Sequence, residues 1–331
     1  MSSVLIDPGQ TANTAKDEIA NIPGVSLETM DRAQVMLVGS ANMDLVVRTH
    51  HFPLPGETLQ GIGFQTFPGG KGANQATAIG RLGGRVGLVA KVGADPFGDQ
   101  LIDSLQLSGV DTSSVLQDSA APTGVALITV DDSGQNMIVV APGANSLLTP
   151  KEVDQSLSGA QFSVLLAQLE VPLESVIYAA SFAEGRVFIL NPAPAREVPN
   201  ELLCRVDYLT PNETEARFLT GILPSDDATC LACAEVLLSR GVRNVLFTLG
   251  PRGSFLANET GGRHFPTIDV ATVDTTGAGD AFNGAFAHFL ASGEAIERAI
   301  TLANIVGALS TTKNGAQASM PTLEEVLSRA L

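Results

Sequence analysis

Short continuous apolar runs, each closed by a glycine or polar residue, recur along the chain and predict buried strands. Val35-Met-Leu-Val38, closed by Gly39-Ser40, is the first. A run without alternation needs cover on both faces. Residues 85–91, 163–169, 187–190, 208–209 and 245–249 repeat the pattern. Helical spacing lies between them: Ala76, Ile79 and Leu82 within residues 72–82, Leu101, Leu105 and Leu107 within 97–107, and a further helix over 229–238. Such alternation predicts a mostly parallel sheet covered by helices. Ligands of such sheets sit beyond the carboxyl ends of the strands.

Two stretches break the rhythm. Residues 45–67 carry Pro53, Pro55, Gly56, Gly61 and Gly63, with partial alternation at Thr58, Gln60, Ile62 and Phe64, and read as exposed strands. Residues 122–140 read as a hairpin, with 125–130 and 136–140 flanking the turn Asp131-Asp-Ser-Gly134. Together they predict a small sheet outside the main one.

Composition narrows the function. The 331 residues correspond to two domains, or to one large domain with an insertion, at roughly 150 residues each. With 35 acidic against 19 basic residues the formal charge is -16. That excludes a nucleic-acid backbone binder, which needs excess Lys and Arg. A small anion held by backbone N–H groups stays open. Cys204, Cys230 and Cys233 are too few for a disulfide scaffold and suit a reducing compartment. The Cys230/Cys233 pair has neither a second pair nor a nearby histidine, short of four zinc ligands, and reads as two small core residues of a helix. The four histidines show no ligand spacing. No 18-residue apolar run predicts a membrane span. Residues 1–33 carry five acids against Lys16 and Arg32 and resemble neither a signal nor a transit peptide. They are expected to form a poorly ordered extension with one short helix, and the chain is expected in the cytoplasm.

Two glycine-rich segments carry the chemistry. Pro68-Gly-Gly-Lys-Gly-Ala-Asn74 leads into a helix; its glycines allow close backbone approach, and Lys71 and Asn74 supply hydrogen-bonding tips. It is not a Walker A loop, because Gly72 follows Lys71 where Ser or Thr is required. In Asp274-Thr-Thr-Gly-Ala-Gly-Asp280, the residues Gly277, Ala278 and Gly279 would place consecutive N–H groups at the positive end of a helix, an anion cradle. Asp280 lies in its first turn, where a charged carboxylate could accept a hydroxyl proton. Other candidates follow the strands. Asn42 and Asp44 suit neighbouring hydroxyls of a polyol, or form a loop Asx-turn. Glu170 ends an apolar run and needs a partner, or is a solvated strand end. Asn212 and Glu215 could orient magnesium-bound waters, act as a capping box, or both.

At these residues the sequence resembles the PfkB-type (ribokinase-like) carbohydrate kinases, over about residues 34–331. The segments at 274–280 and 69–74 match the two family signatures. Gly39-Ser-Ala-Asn-Met-Asp44, Pro55-Gly-Glu-Thr58, Asn191-Pro-Ala-Pro194, Pro211-Asn-Glu213 and Gly315-Ala-Gln-Ala-Ser319 point to its ribose-phosphorylating branch. The resemblance implies a Rossmann-type three-layer α/β domain with a small β-sheet lid, through which a homodimer forms. It implies that ATP phosphorylates D-ribose at the 5-hydroxyl. Asn42, Asp44, Gly70, Lys71, Asn74 and Glu170 would bind the sugar, with Asp280 as base. Asn212 and Glu215 would organise Mg²⁺ through waters. Asn212, Thr248, Gly250, Gly253, Gly279 and Asn304 would lie along the nucleotide. A monovalent cation, K⁺, would be held by Asp274, Thr276, Ser310, Lys313, Gly315 and Ser319, Lys313 contributing only its carbonyl. The rivals are a family kinase for deoxyribose, a nucleoside or another sugar, and a non-catalytic sugar-binding or regulatory protein on this fold. An NAD-linked oxidoreductase lacks its glycine fingerprint.

Overall fold

The computed structural model describes residues 34–330, and the expectations for residues 1–33 lie outside them. The chain runs β1 (Gln34–Val38), β2 (Asn42–Arg48), β3 (Gly63–Gly69), α1 (Lys71–Arg81), β4 (Arg85–Gly93), α2 (Pro96–Leu107), β5 (Val110–Asp111), β6 (Val115–Asp118), β7 (Gly124–Val130) and β8 (Asn136–Ala141). There follow α3 (Pro150–Leu157), β9 (Val164–Ala167), α4 (Leu173–Ala179), β10 (Val187–Leu190), α5 (Asn200–Leu203), β11 (Tyr208–Leu209), α6 (Glu213–Thr220), α7 (Asp227–Ser239) and β12 (Asn244–Thr248). The last elements are β13 (Ser254–Asn258), β14 (Gly261–Phe265), α8 (Ala278–Ala291), α9 (Ile296–Ser310), α10 (Ala316–Ser319) and α11 (Leu323–Ala330).

The main sheet has the order β14-β13-β12-β11-β10-β9-β1-β4-β5, with β6 also on β4. From β12 through β1 to β5 every pairing is parallel, and β13 and β14 close one edge antiparallel. Alternate residues of β1 enter different cores, which explains its unbroken apolar run. Val35 and Leu37 pack with Ala76 and Ile79 of α1, Phe286 of α8 and Val306 of α9. Met36 and Val38 pack with Val153 of α3, Val176 of α4 and Leu237 of α7. The result is a three-layer α/β domain. Each fully buried Leu or Phe contributes about 1.5–3 kcal/mol. Cys230 and Cys233 are buried in the second core, as their helical setting predicts.

The smaller sheet has the order β3-β2-β7-β8. Its hairpin, β7–β8, is antiparallel and lies where the turn sequence places it. Two expectations need correction. Residues 49–62 are not strand, because the prolines and glycines there break the ladder. Asn42 and Asp44 lie inside β2, paired with Gly69 and Phe67, rather than in a loop, so the Asx-turn is ruled out. The β13–β14 ladder is absent from the apolar pattern, since Gly261–Phe265 reads Gly-Gly-Arg-His-Phe and four of the five are exposed. Among the described residues no helix is long and apolar enough to cross a membrane.

Candidate active site

The carboxyl ends of β1, β9, β10, β11 and β12 face the start of α1 and the start of α8. Two glycines let α1 approach. Gly70 holds φ +88°, and a Cβ there would stand 2.7 Å from the Asn42 nitrogen and 2.8 Å from the Ala41 Cα. A Cβ on Gly72 would stand 2.7 Å from the Ser40 nitrogen. Only bare backbone fits between β1, β2 and α1. Glu170, beyond β9, finds its partners here: it accepts from the Lys71 N–H at 3.0 Å and the Ser40 hydroxyl at 2.5 Å. A carboxylate thus meets the positive end of α1, and a purely solvated strand end is ruled out.

Asn42, Asp44, Lys71 and Asn74 gather beside Asp280. The Asn42 Oδ1 accepts from Nδ2 of the buried Asn145 at 2.8 Å. Burial first, then the charges of Glu170 and Asp280, push Asp44 up to about 7. The charge of Asp280, with those of Glu170 and Glu215, raises Lys71 against the opposing effect of burial. Asp280 is buried, and both its oxygens accept amide N–H groups. Oδ2 takes Asn74 Nδ2 at 2.9 Å, and Oδ1 takes Gln75 Nε2 at 3.0 Å. The Asn74 Oδ1 is buried with no hydrogen-bond partner, an unsatisfied acceptor beside Asp280.

Lys71 and Asp280 also line a cavity of about 580 Å³. Asn212, Thr248, Gly250, Gly253, Gly279 and Asn304 all border it. Asp280 therefore lies between the polar cluster of Asp44, Lys71 and Asn74 and this cavity. Gly277 caps the start of α8 at φ +78°, and the space over Gly279 is open. The Ala278 N–H donates to the Thr275 carbonyl at 3.2 Å, so an anion must compete with that carbonyl for the middle group of the cradle. Asn304 donates to Ser254 Oγ and the Phe265 carbonyl, both at 3.0 Å, and so also ties α9 to the sheet edge.

Asn212 and Glu215 form the capping box of α6 in full: Asn212 Oδ1 takes the Glu215 N–H at 2.8 Å, and Glu215 Oε2 takes the Asn212 N–H at 2.9 Å. Burial raises the Glu215 pKa, against the Asn212 N–H and the Lys71 charge. Nearby, Asp274 bridges two loops. Its oxygens accept from the Thr276 and Gly315 N–H groups at 2.9 Å each, and its own N–H donates to the Thr311 carbonyl. Burial opposes ionisation of Asp274, but the Gly315 and Thr276 hydrogen bonds outweigh it and lower the pKa. Ser310 and Ser319 hydroxyls donate to the Gly307 and Ala316 carbonyls. The Lys313 ammonium pairs with Glu325 at 2.8 Å, so its side chain is engaged elsewhere.

Four amides escaped sequence reasoning: Gln75, Asn145, Gln168 and Asn191 as a side chain. Gln75 directly follows Asn74, but a glutamine on a helix reads as a surface residue. Asn145 sits in a 3-10 helix, Gly143–Leu147, too short for any periodicity to mark it.

The sequence profile of the pfkB family carbohydrate kinases matches residues 32–323. The ribokinase of Haemophilus influenzae is 41% identical over 299 residues, covering 89% of this chain and 98% of that protein. The deoxyribokinase of Salmonella typhi is 37% identical over 295 residues, covering 88% and 96%. Among solved structures, the Arabidopsis thaliana ribokinase complexed with ribose and ATP superposes with a TM-score of 0.83 at 32% identity, covering 89% and 98%. The chain belongs to the pfkB family of carbohydrate kinases, as an ATP-dependent sugar kinase of the ribokinase type.

Proposed function

We propose that this chain transfers the γ-phosphoryl group of ATP to the 5-hydroxyl of D-ribose, giving D-ribose 5-phosphate and ADP. The observation that carries it is the buried Asp280, set at the start of α8 between the polar cluster of Asn42, Asp44 and Asn74 and the 580 Å³ cavity. The sugar hydroxyls are held by Asn42, Asp44 and Asn74, with Gly70, Lys71 and Glu170 completing that side. Asp280 takes the proton of the 5-hydroxyl as its oxygen attacks phosphorus. The N–H groups of Gly277, Ala278 and Gly279 receive the charge of the transferring group. Thr248, Gly250, Gly253 and Asn304 line the nucleotide.

The donor set fits the two expected ions. The exposed Asn212 and the buried Glu215, locked together, would hold waters of a Mg²⁺ ion, which screens the phosphate charge when bound. The ionised Asp274 and the oxygens of Thr276, Ser310, Lys313, Gly315 and Ser319 suit a hard monovalent cation, K⁺, which would order the loop leading into the cradle. Residues 34–331 act as one kinase domain, and the sheet β3-β2-β7-β8 as a lid that excludes water, the competing acceptor.

The test is ADP release with Mg-ATP across D-ribose, 2-deoxyribose, fructose, adenosine and pseudouridine, in K⁺ and in Na⁺. Ribose-dependent release, higher in K⁺, is expected. The likeness to a deoxyribokinase makes 2-deoxyribose the rival acceptor. Silence across the panel favours a non-catalytic sugar-binding or regulatory role. In the same assay the ribose KM should fall as pH rises through about 7, because only the ionised Asp44 accepts a full set of hydroxyl hydrogen bonds. A KM flat from pH 6 to 8 would remove Asp44 from that role.

The lid's outer surface points to a second copy of the chain. Met137, Ile138, Val139 and Val140 of β8 are 56, 53, 66 and 48% exposed, on an edge strand. Such an apolar edge needs cover. Sedimentation should show a dimer, and Val139→Asp should split it at micromolar concentration; an unaltered dimer would place the contact elsewhere.

A further inference from the structure

One buried group beside Asp280 has no task in the reaction just described. Gln75 is fully buried within α1. An amide in such a place must have its groups bonded. Its Nε2 donates to Asp280 Oδ1 at 3.0 Å and to Asn191 Oδ1 at 3.1 Å. Its Oε1 accepts from Gln168 Nε2. The neighbours dictate this orientation: reversed, Oε1 would face two acceptor oxygens. Asn191 is fixed in turn, because its Nδ2 donates to the Thr210 carbonyl at 3.2 Å. The chain of amides therefore runs from the ends of β9, β10 and β11 to the carboxylate on α8.

Helix packing sets the distance. Gly284 lies one turn beyond Asp280, and a Cβ on it would stand 2.5 Å from the Gln75 carbonyl oxygen and 2.8 Å from the Ala78 Cβ. The missing side chain lets α8 close on α1 just where Gln75 must reach Asp280. The two oxygens of Asp280 thus differ. Oδ1 faces the fully buried Gln75, and Oδ2 faces Asn74, whose own Oδ1 is free for a ligand.

We propose that Gln75 is the positioning residue for the base: it anchors Asp280 Oδ1 to the interior, so that Oδ2 is the atom presented to the sugar hydroxyl. This deepens the proposed function and rests on Asp280 being the base. A donated N–H also favours the ionised carboxylate. The charged groups that act on Asp280 are Lys71 of α1, which attracts it, and Asp44 of β2 and Glu215 of α6, which repel it. Glu170, after β9, acts on Lys71 and Asp44.

The test is kcat against pH, from 5 to 9, on the full chain at saturating sugar and Mg-ATP. Gln75→Met keeps the length of the side chain and removes the donor. Its kcat should fall about tenfold at the acid end of the range and less at the alkaline end, with sugar KM within about threefold. Gln168→Met leaves the Gln75 amide in place but frees its Oε1, and should change the profile the same way by less. A loss of kcat equal at every pH in Gln75→Met, or an unchanged profile, overturns the proposal. If Gln75→Met does not fold, the profile of Gln168→Met decides on the same terms. Asp280→Ala, assayed alongside, separates the two readings. Near-wild-type turnover there removes the base assignment itself, whereas an unchanged profile with an inactive Asp280→Ala removes only the role of Gln75.

Discussion

Asp280→Ala is expected to lower kcat by about 10³-fold, within the range general-base removal covers, while sugar affinity changes less than tenfold. The split follows from where the carboxylate sits. It lies between two amide donors and lines the cavity, but the other groups proposed to hold the sugar, Asn42, Asp44 and Asn74, stay when it is removed. Ground-state binding then persists, and what is lost is the acceptor for the proton of the attacking hydroxyl. The proposed cradle at the start of α8 remains and would keep part of the stabilisation of the transferring group. Truncation leaves the Asn74 and Gln75 N–H groups without their acceptor, which costs about 1–3 kcal/mol for each buried donor. A melting curve must therefore accompany the kinetics. Steady-state rates and calorimetric sugar binding on the folded variant check the prediction; near-wild-type turnover would remove Asp280 as base.

The parts of this site legible in the sequence share one property: their residue types are unusual for their local setting. Three small residues between Asp274 and Asp280, or glycines flanking a lysine before a helix, have few structural explanations, and both segments lie where chemistry is expected. The parallel strands were legible for a related reason. Burial on two faces demands unbroken apolar runs, and 187–190 and 208–209 coincide with β10 and β11 residue for residue. Asn42 and Asp44 were legible as site residues but not as strand residues. Asn42 and Asp44 alternate with Met43 and Leu45, so β2 lacks the unbroken apolar run that marks the parallel strands. Gln75, Gln168 and Asn191 form a network whose members are 93 and 116 positions from Gln75. No local pattern records such pairings. The edge strand β14 escaped because an exposed edge strand needs no apolar period.

Gly70→Ala should weaken sugar binding by about 30–150-fold, corresponding to about 2–3 kcal/mol, and leave ATP binding within about threefold. Gly70 adopts φ +88° and ψ +132°, a region essentially confined to glycine, where another residue costs about 1–3 kcal/mol. Space compounds the strain. The new methyl would meet the Asn42 nitrogen at 2.7 Å, the Ala41 Cα at 2.8 Å and the Ala41 carbonyl carbon at 3.0 Å, all backbone. Backbone cannot swing aside as a side chain can, so either β2 or the start of α1 must shift. Both carry groups proposed to hold the sugar: Asn42 and Asp44 on β2, Lys71 and Asn74 on α1. A shift of either spreads the cluster that must close around one small polyol. The residues proposed for the nucleotide depend on other elements, since Asn212 caps α6, Thr248 ends β12 and Gly279 lies in the first turn of α8. Separate calorimetric titrations with sugar and with ATP check the prediction. Equal weakening of both would mean that the α1 loop is shared between the two subsites, and unchanged sugar binding would place the sugar away from Gly70.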